Sequence, residues 1–123
     1  MKLLIRIAST ICLGLMAHGA VYADENSKLA RLREEITALI GPATCANLVN
    51  CRVAALGIDV CGGPLEYIAY SWLSTEKEAL ETKIAEYNFV QEDAQEKIPS
   101  VGACVTKPEP VAICVNRRCV IKP

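Results

Sequence analysis

Residues 111–121, VAICVNRRCVI, place two short runs rich in Val, Ile and Cys on either side of Asn116-Arg117. β-Branched residues separated by two turn residues predict a β-hairpin. In such a hairpin Cys114 and Cys119 stand opposite each other on one side. We expect these two cysteines either to bridge to each other or to point together into the core, towards cysteines elsewhere in the chain.

Residues 1–23 have the parts of a secretory leader. A basic start with Lys2 and Arg6 precedes an apolar stretch at 7–17, and small or medium residues lead up to a cleavage point before Asp24. The apolar stretch is about half of the roughly 20 residues that a bilayer-spanning helix needs. We therefore expect a removable signal peptide, no lasting membrane anchor, and a periplasmic or secreted product in an oxidising compartment.

The cysteines of the exported part predict three disulfides. They are Cys45, Cys51, Cys61, Cys104, Cys114 and Cys119. Spacing alone does not choose among the possible pairings, so the connectivity stays open here. We expect at least one bridge to join the first three cysteines to the last three, because closing a long loop removes most entropy from the unfolded chain.

The expected mature part, residues 24–123, has the length of one domain. It carries 11 basic and 14 acidic residues, a formal charge of −3, without the basic tract that would indicate a nucleic-acid partner. The single histidine, His18, belongs to the leader, which excludes Ser-His-Asp and Cys-His catalysis from the mature chain. No C-x-x-C spacing indicates a metal site or a redox pair. We expect no metal, no cofactor and no catalytic residue.

Hydrophobic periodicity predicts an N-terminal helix and a short strand. The helix has apolar residues at three- and four-residue steps from Leu29 to Ile40 and ends at Gly41-Pro42. The strand covers 51–56. After it, Cys61-Gly62-Gly63-Pro64 predicts a turn, since glycine permits unusual backbone angles and proline restricts the next one.

Two further helices are predicted in the middle of the chain. Pro64 suits the first position of a short helix through Ser71, in which Tyr67 and Tyr70 share one inward face. Thr75 and Glu78 then form a capping-box pair. The long helix that this pair opens extends to residue 98, just before a proline.

The C-terminal quarter predicts three strands, at 101–106, 111–115 and 118–121, joined as two consecutive hairpins. The predicted fold class is therefore α+β: an N-terminal helix, a short strand, a long central helix and a C-terminal antiparallel meander, stapled by disulfides, with the helices on one face of a small sheet.

Several short motifs resemble a loose group of small exported bacterial cysteine-rich proteins. These proteins carry a leader, a CR…CGGPxxYxxYS segment, a helix and a paired C-terminal cysteine hairpin. The matching residues are Cys51-Arg52, Cys61-Gly62-Gly63-Pro64, Tyr67, Tyr70-Ser71 and Cys114-Val115-Asn116-x-x-Cys119. Where that group tends to have glycine in the last turn, this chain has Arg117. The resemblance implies export and fold, and it implies no particular activity.

These features favour a non-enzymatic binding or inhibitory module with a protein partner, since a rigid disulfide domain loses little entropy on binding. The expected contact residues lie in two loops and on one exposed tryptophan: Gly62, Gly63, Pro64, Trp72, Pro108 and Glu109. A monomer is expected, with a dimer through the long helix as the second possibility. Two other functions stay open: an envelope structural or assembly protein, and a small hydrolase that uses two carboxylates.

Overall fold

The computed structural model describes residues 20–96, 104, 105 and 107–123. Its elements in chain order are helix α1 (Ala20–Ile40), a short 3₁₀ helix (Leu48–Asn50), strands β1 (Cys51–Ile58) and β2 (Pro64–Ser71), helix α2 (Lys77–Glu96), and strands β3 (Ala112–Val115) and β4 (Arg118–Ile121). Two helices and two antiparallel strand pairs confirm the α+β class. Within these residues no helix has both the length and the apolar character needed to span a bilayer.

Helix α1 confirms the predicted apolar face, since Leu32 and Ile36 are almost fully buried. It ends where predicted. The Gly41 N–H donates to the Thr37 carbonyl (2.9 Å) and Gly41 has a positive φ of 57°, which is a left-handed cap. Most of the predicted leader, residues 1–19, lies outside the described residues, and the backbone at the expected cleavage point is helical.

The predicted helix over Pro64–Ser71 is wrong, because this segment is strand β2. It pairs antiparallel with β1 from Cys51 opposite Ser71 to Ile58 opposite Pro64. The prediction relied on the preference of proline for a helix start, but the first residue of a strand suits proline equally well. The alternation of a strand also separates the two tyrosines, which were expected to share a face.

The loop between β1 and β2 is closed by the side chain of Asp59, which the sequence analysis did not place in a turn. The Asp59 carboxylate accepts hydrogen bonds from the backbone N–H groups of Cys61 (2.8 Å) and Gly63 (3.0 Å). An aspartate that binds the backbone two and four residues ahead folds the chain back on itself. This loop makes β1 and β2 a hairpin.

Helix α2 confirms the long central helix as far as Glu96, and the predicted end at residue 98 lies outside the described residues. The predicted capping pair of Thr75 and Glu78 is replaced by another contact. The Thr75 hydroxyl donates to the Ile40 carbonyl (3.5 Å) and so joins the start of α2 to the end of α1.

Polar residues of α2 hold the end of β1. The Asn88 side-chain oxygen accepts from the Gly57 N–H (2.7 Å), and the buried Gln91 accepts from the Ile58 N–H (2.8 Å). Gln91 is therefore a polar residue on the buried side of α2 because the adjacent strand leaves a backbone donor that needs a partner.

The C-terminal hairpin confirms the second half of the predicted meander. Cys114 and Cys119 stand opposite each other in the β3–β4 register. Asn116 and Arg117 both have positive φ, 50° and 61°, as a two-residue type I′ turn requires. The first half of the meander is not seen in the described residues: Cys104 and Val105 lie in no strand, and 101–103 and 106 are outside the described part.

The β1–β2 sheet forms the middle layer, with a separate buried cluster at each side. The helix-side cluster contains Ile36, Leu56, Tyr70 and Leu80. The hairpin-side cluster contains Ala43, Cys45, Cys51, Ala112 and Cys119. The two-stranded β3–β4 sheet therefore covers a different side of the middle layer from the helices.

Candidate functional site

Three disulfides join the first three cysteines to the last three, as expected for at least one of them. The pairs are Cys45–Cys114, Cys51–Cys119 and Cys61–Cys104, with Cα–Cα distances of 6.0, 5.4 and 5.7 Å. Cys114 and Cys119 are neighbours across the hairpin but do not bridge to each other. Cys114 instead reaches Cys45, before β1, and Cys119 reaches Cys51, the first residue of β1, so the hairpin is fastened to the rest of the domain twice.

The first two bridges lie close together. The sulfur atoms of Cys45, Cys51 and Cys119 lie within 4.8 Å of one another, and all three residues are buried. Such proximity resembles a thiolate metal site, but here each sulfur already belongs to a disulfide. This cluster is therefore a structural staple.

The two predicted contact loops meet at the Cys61–Cys104 disulfide. Gly62, Gly63 and Pro64 line an open depression of about 310 Å³ together with the exposed Cys61–Cys104 pair and Lys107. Pro108 and Glu109 follow directly and are exposed. The backbone of the glycine loop is already engaged, since the Gly62 and Gly63 N–H groups both donate to Asp59. These two N–H groups are therefore not free to bind an anion. The loop can contribute to a contact surface through its shape.

Trp72 lies at the other end of β2 from the glycine loop. A strand of eight residues extends about 26 Å, so the predicted contact residues fall at two ends of the domain. The Trp72 side chain is 51% exposed. Its indole N–H donates to the Val49 carbonyl (2.9 Å) and its backbone N–H to the Asn50 carbonyl (3.1 Å). The ring is held in place while about half of the residue's surface stays in solvent.

Three apolar neighbours of Trp72 were missed by the sequence reading. Leu48, Val49 and Leu73 are 62%, 57% and 56% exposed. We call Leu48, Val49, Trp72 and Leu73 the apolar pole. The sequence did carry a signal of their exposure. These apolar residues lie just outside the predicted elements, where no helix or strand periodicity accounts for them.

Positively charged residues, Arg52 and Arg117, lie at the edge of the apolar pole and form its cationic rim. Arg52 lies beside it, with its guanidinium donating to the Val49 carbonyl (2.7 Å), and Arg117 lines an open depression of about 410 Å³ with Leu73. The chain segments at this end of the domain, 41–54 and 69–75, and the C-terminal hairpin at 111–121 contain no Asp or Glu. The cationic rim therefore has no acidic residue within the segments that carry it.

The acidic residues concentrate on the helices, where several form ion pairs. The Lys83 Nζ of α2 lies 3.0 Å from a Glu35 carboxylate oxygen and 3.1 Å from one of Glu86, and the hydrogen bonds that Lys83 donates to these carboxylates raise its pKa, with Glu35 the larger cause. Arg33 pairs with Glu66 of β2. Burial lowers the pKa of Arg33, but hydrogen bonding and charge attraction, chiefly with Glu66, outweigh it and raise the pKa.

A hydrolase that uses two carboxylates needs both of them at one site, so the partners of the carboxylates are relevant to this alternative. Glu35 and Glu66 are each held by a cation, and the Asp59 carboxylate closes the β1–β2 loop. The carboxylates of Glu35, Asp59 and Glu66 therefore make their contacts at separate places in the fold.

Comparison with known proteins gives no relative: no family model, curated protein or solved structure matches the chain.

Proposed function

We propose that the protein is an exported, non-enzymatic binding module that contacts a protein partner through the apolar pole and its cationic rim. The supporting observation is the exposure of Leu48, Val49, Trp72 and Leu73, each more than half exposed, on the 3₁₀ helix and on the turn after β2 that adjoins it. A cluster of large apolar side chains rimmed by polar residues is typical of interaction surfaces, and tryptophan and arginine are the residues that most often dominate binding energy.

Rigidity of the pole supports the same function. Two hydrogen bonds fix Trp72 against the 3₁₀ helix, and the Cys51–Cys119 bridge begins one residue after that helix. A surface that is ordered before binding avoids the entropy cost of ordering side chains and loops. The disulfides would then serve recognition as well as stability.

The charge of the rim indicates the chemistry of the partner. Arg52 and Arg117 favour an apolar patch bordered by Asp or Glu, since complementary charge speeds encounter and rejects wrong partners. The same charges disfavour a second copy of this chain at the pole, because two cationic rims would repel. If the module is inhibitory, the partner is an enzyme whose activity falls on binding.

Assembly through the long helix has less support. Its stripe residues Leu80, Ile84 and Tyr87 pack in the cluster between α2, α1 and the β1–β2 sheet, so the face expected to self-associate is already used.

The test is site-specific photocrosslinking in the host, with the full chain carrying a benzophenone amino acid at Leu73 or at Phe89. Phe89 is the matched control because it is 76% exposed on α2, away from the pole. We expect one discrete crosslinked product from position 73, which Trp72→Ala removes. A product from position 89 alone, or a product from position 73 that Trp72→Ala leaves unchanged, would contradict the proposal.

A further inference from the structure

We propose that the free edge of β1, beside helix α2, binds an extended peptide segment of a partner protein, which adds a third strand to the β1–β2 sheet. This surface adjoins the apolar pole at Arg52 but uses different residues, and it does not depend on the function proposed above.

Hydrogen-bond alternation identifies the free groups on this edge. The Trp72 N–H donates to the Asn50 carbonyl (3.1 Å), so the alternate pairs Arg52–Tyr70 and Ala54–Ile68 are the hydrogen-bonded pairs of the hairpin. The residues between them, Val53 and Ala55, consequently direct their N–H and C=O groups away from β2.

Side chains close the edge on both sides of this opening. The Arg52 guanidinium donates to the Cys51 carbonyl (3.0 Å), and the Asn88 side chain accepts from the Gly57 N–H (2.7 Å). Among the described residues no side-chain hydrogen bond reaches the backbone of Val53 or Ala55. The edge is therefore protected at its ends and open over one short stretch, where it can take a peptide backbone.

A groove runs along this stretch. An open cavity of about 280 Å³ separates Val53, Ala54 and Ala55 from α2, where Leu80, Ile84 and Ala85 form its wall. A peptide residue opposite Ala54 would place its side chain on the same face as Ala54, towards Ile84. The peptide would therefore present one apolar anchor between two residues that make the backbone hydrogen bonds.

Charge specifies the flanks of the peptide. Glu81 lines the same groove and its side chain is 62% exposed, paired only loosely with Lys77 at 3.5 Å. A Lys or Arg beside the apolar anchor would meet this carboxylate. The occupant is therefore an extended segment with an apolar residue and a nearby basic residue, bound by strand addition.

The experiment is an NMR titration of the isotope-labelled, oxidised protein with the blocked peptide acetyl-KTLTK-amide, up to millimolar concentration. We expect saturable shifts at the Val53 and Ala55 amides and the Ile84 methyl groups. The same peptide with both threonine amides N-methylated keeps its side chains but loses the two backbone N–H donors. Its affinity should be lower by at least about 10-fold.

Substitutions in the protein provide the complementary arm. Ala55→Pro removes an N–H that points away from β2, where proline is tolerated on an edge, and should abolish the shifts at Val53, whereas Ala55→Ser should keep them. No saturable shift at Val53 and Ala55, equal binding of the N-methylated peptide, or shifts confined to the apolar pole would each overturn the proposal. So would dimerisation of the free protein that Ala55→Pro abolishes, since the occupant would then be a second copy.

Discussion

The two buried clusters on either side of the β1–β2 sheet are built from different kinds of residue. On the helix side, Ile36, Leu56, Tyr70 and Leu80 fill the space with large apolar side chains. On the hairpin side, the buried residues are alanines and disulfide-bonded cysteines. Strands of four residues bury little, and an isolated two-stranded hairpin is marginal in water. Covalent crosslinks therefore replace apolar burial where the elements are too short to supply it.

The largest expected effect tests that replacement directly. Cys51→Ala with Cys119→Ala removes a buried bridge between residues 68 apart in sequence, worth about 4 kcal/mol in the chain-entropy model. The matched control removes the exposed Cys61–Cys104 bridge, whose separation of 43 gives nearly the same entropy. Because only the first pair is packed in a cluster, urea unfolding should show the larger loss for it. Equal losses would mean that burial adds nothing.

The second prediction addresses the helix side. Leu80→Ala should lower the free energy of unfolding by about 2–5 kcal/mol, because it leaves a cavity among large neighbours, while Phe89→Ala should change it by less than about 0.5 kcal/mol. Leu80 is 1% exposed and Phe89 76%. The native fluorescence of Trp72 should stay unchanged in both variants. A shift in its emission with Leu80→Ala would show that the change in the helix-side cluster reaches the apolar pole.

A smaller effect is expected at the junction of α2 and β1. Gln91→Leu leaves the Ile58 N–H without its acceptor, at a cost of about 1–3 kcal/mol. Chemical denaturation measures the cost, and faster hydrogen exchange of the Ile58 amide locates it. Glu92→Ala, on the exposed side of the same turn, is the control and should do neither. Unchanged exchange at Ile58 would contradict the assigned bond.

The smallest effect is a gain at the hairpin turn. Arg117 has a φ of 61°, which glycine adopts without the steric cost that other residues carry. Arg117→Gly should therefore raise the free energy of unfolding by about 1 kcal/mol. The thermal midpoint should rise with it. Val115→Gly, in the adjacent strand, should lower it, since glycine weakens a strand. A lower midpoint for Arg117→Gly would indicate that the Arg117 side chain matters more than its backbone angle.

Local signals explain which predictions succeed. The hairpin at 111–121 is correct because its turn chemistry and its β-branched strands agree, and α1 is correct because its periodicity and its glycine cap agree. At Pro64 the local signal has two meanings, a helix start or a strand start, and the pairing with β1 decides between them. The contact residues follow the same pattern: the lack of periodicity places Leu48 and Leu73 outside the predicted elements, but only the contact between Trp72 and the 3₁₀ helix brings them to one surface.

The amino-acid sequence by itself determines the end of α1, the two-residue turn of the C-terminal hairpin, the charge distribution and the presence of six cysteines within residues 24–123, because each of these is read from residues within a few positions of one another. The tertiary structure alone decides which cysteines bridge, which face of β1 each cluster covers, and which apolar side chains stay in solvent. Those outcomes depend on contacts between residues from 23 to 69 positions apart. Such contacts are selected by how the whole chain packs.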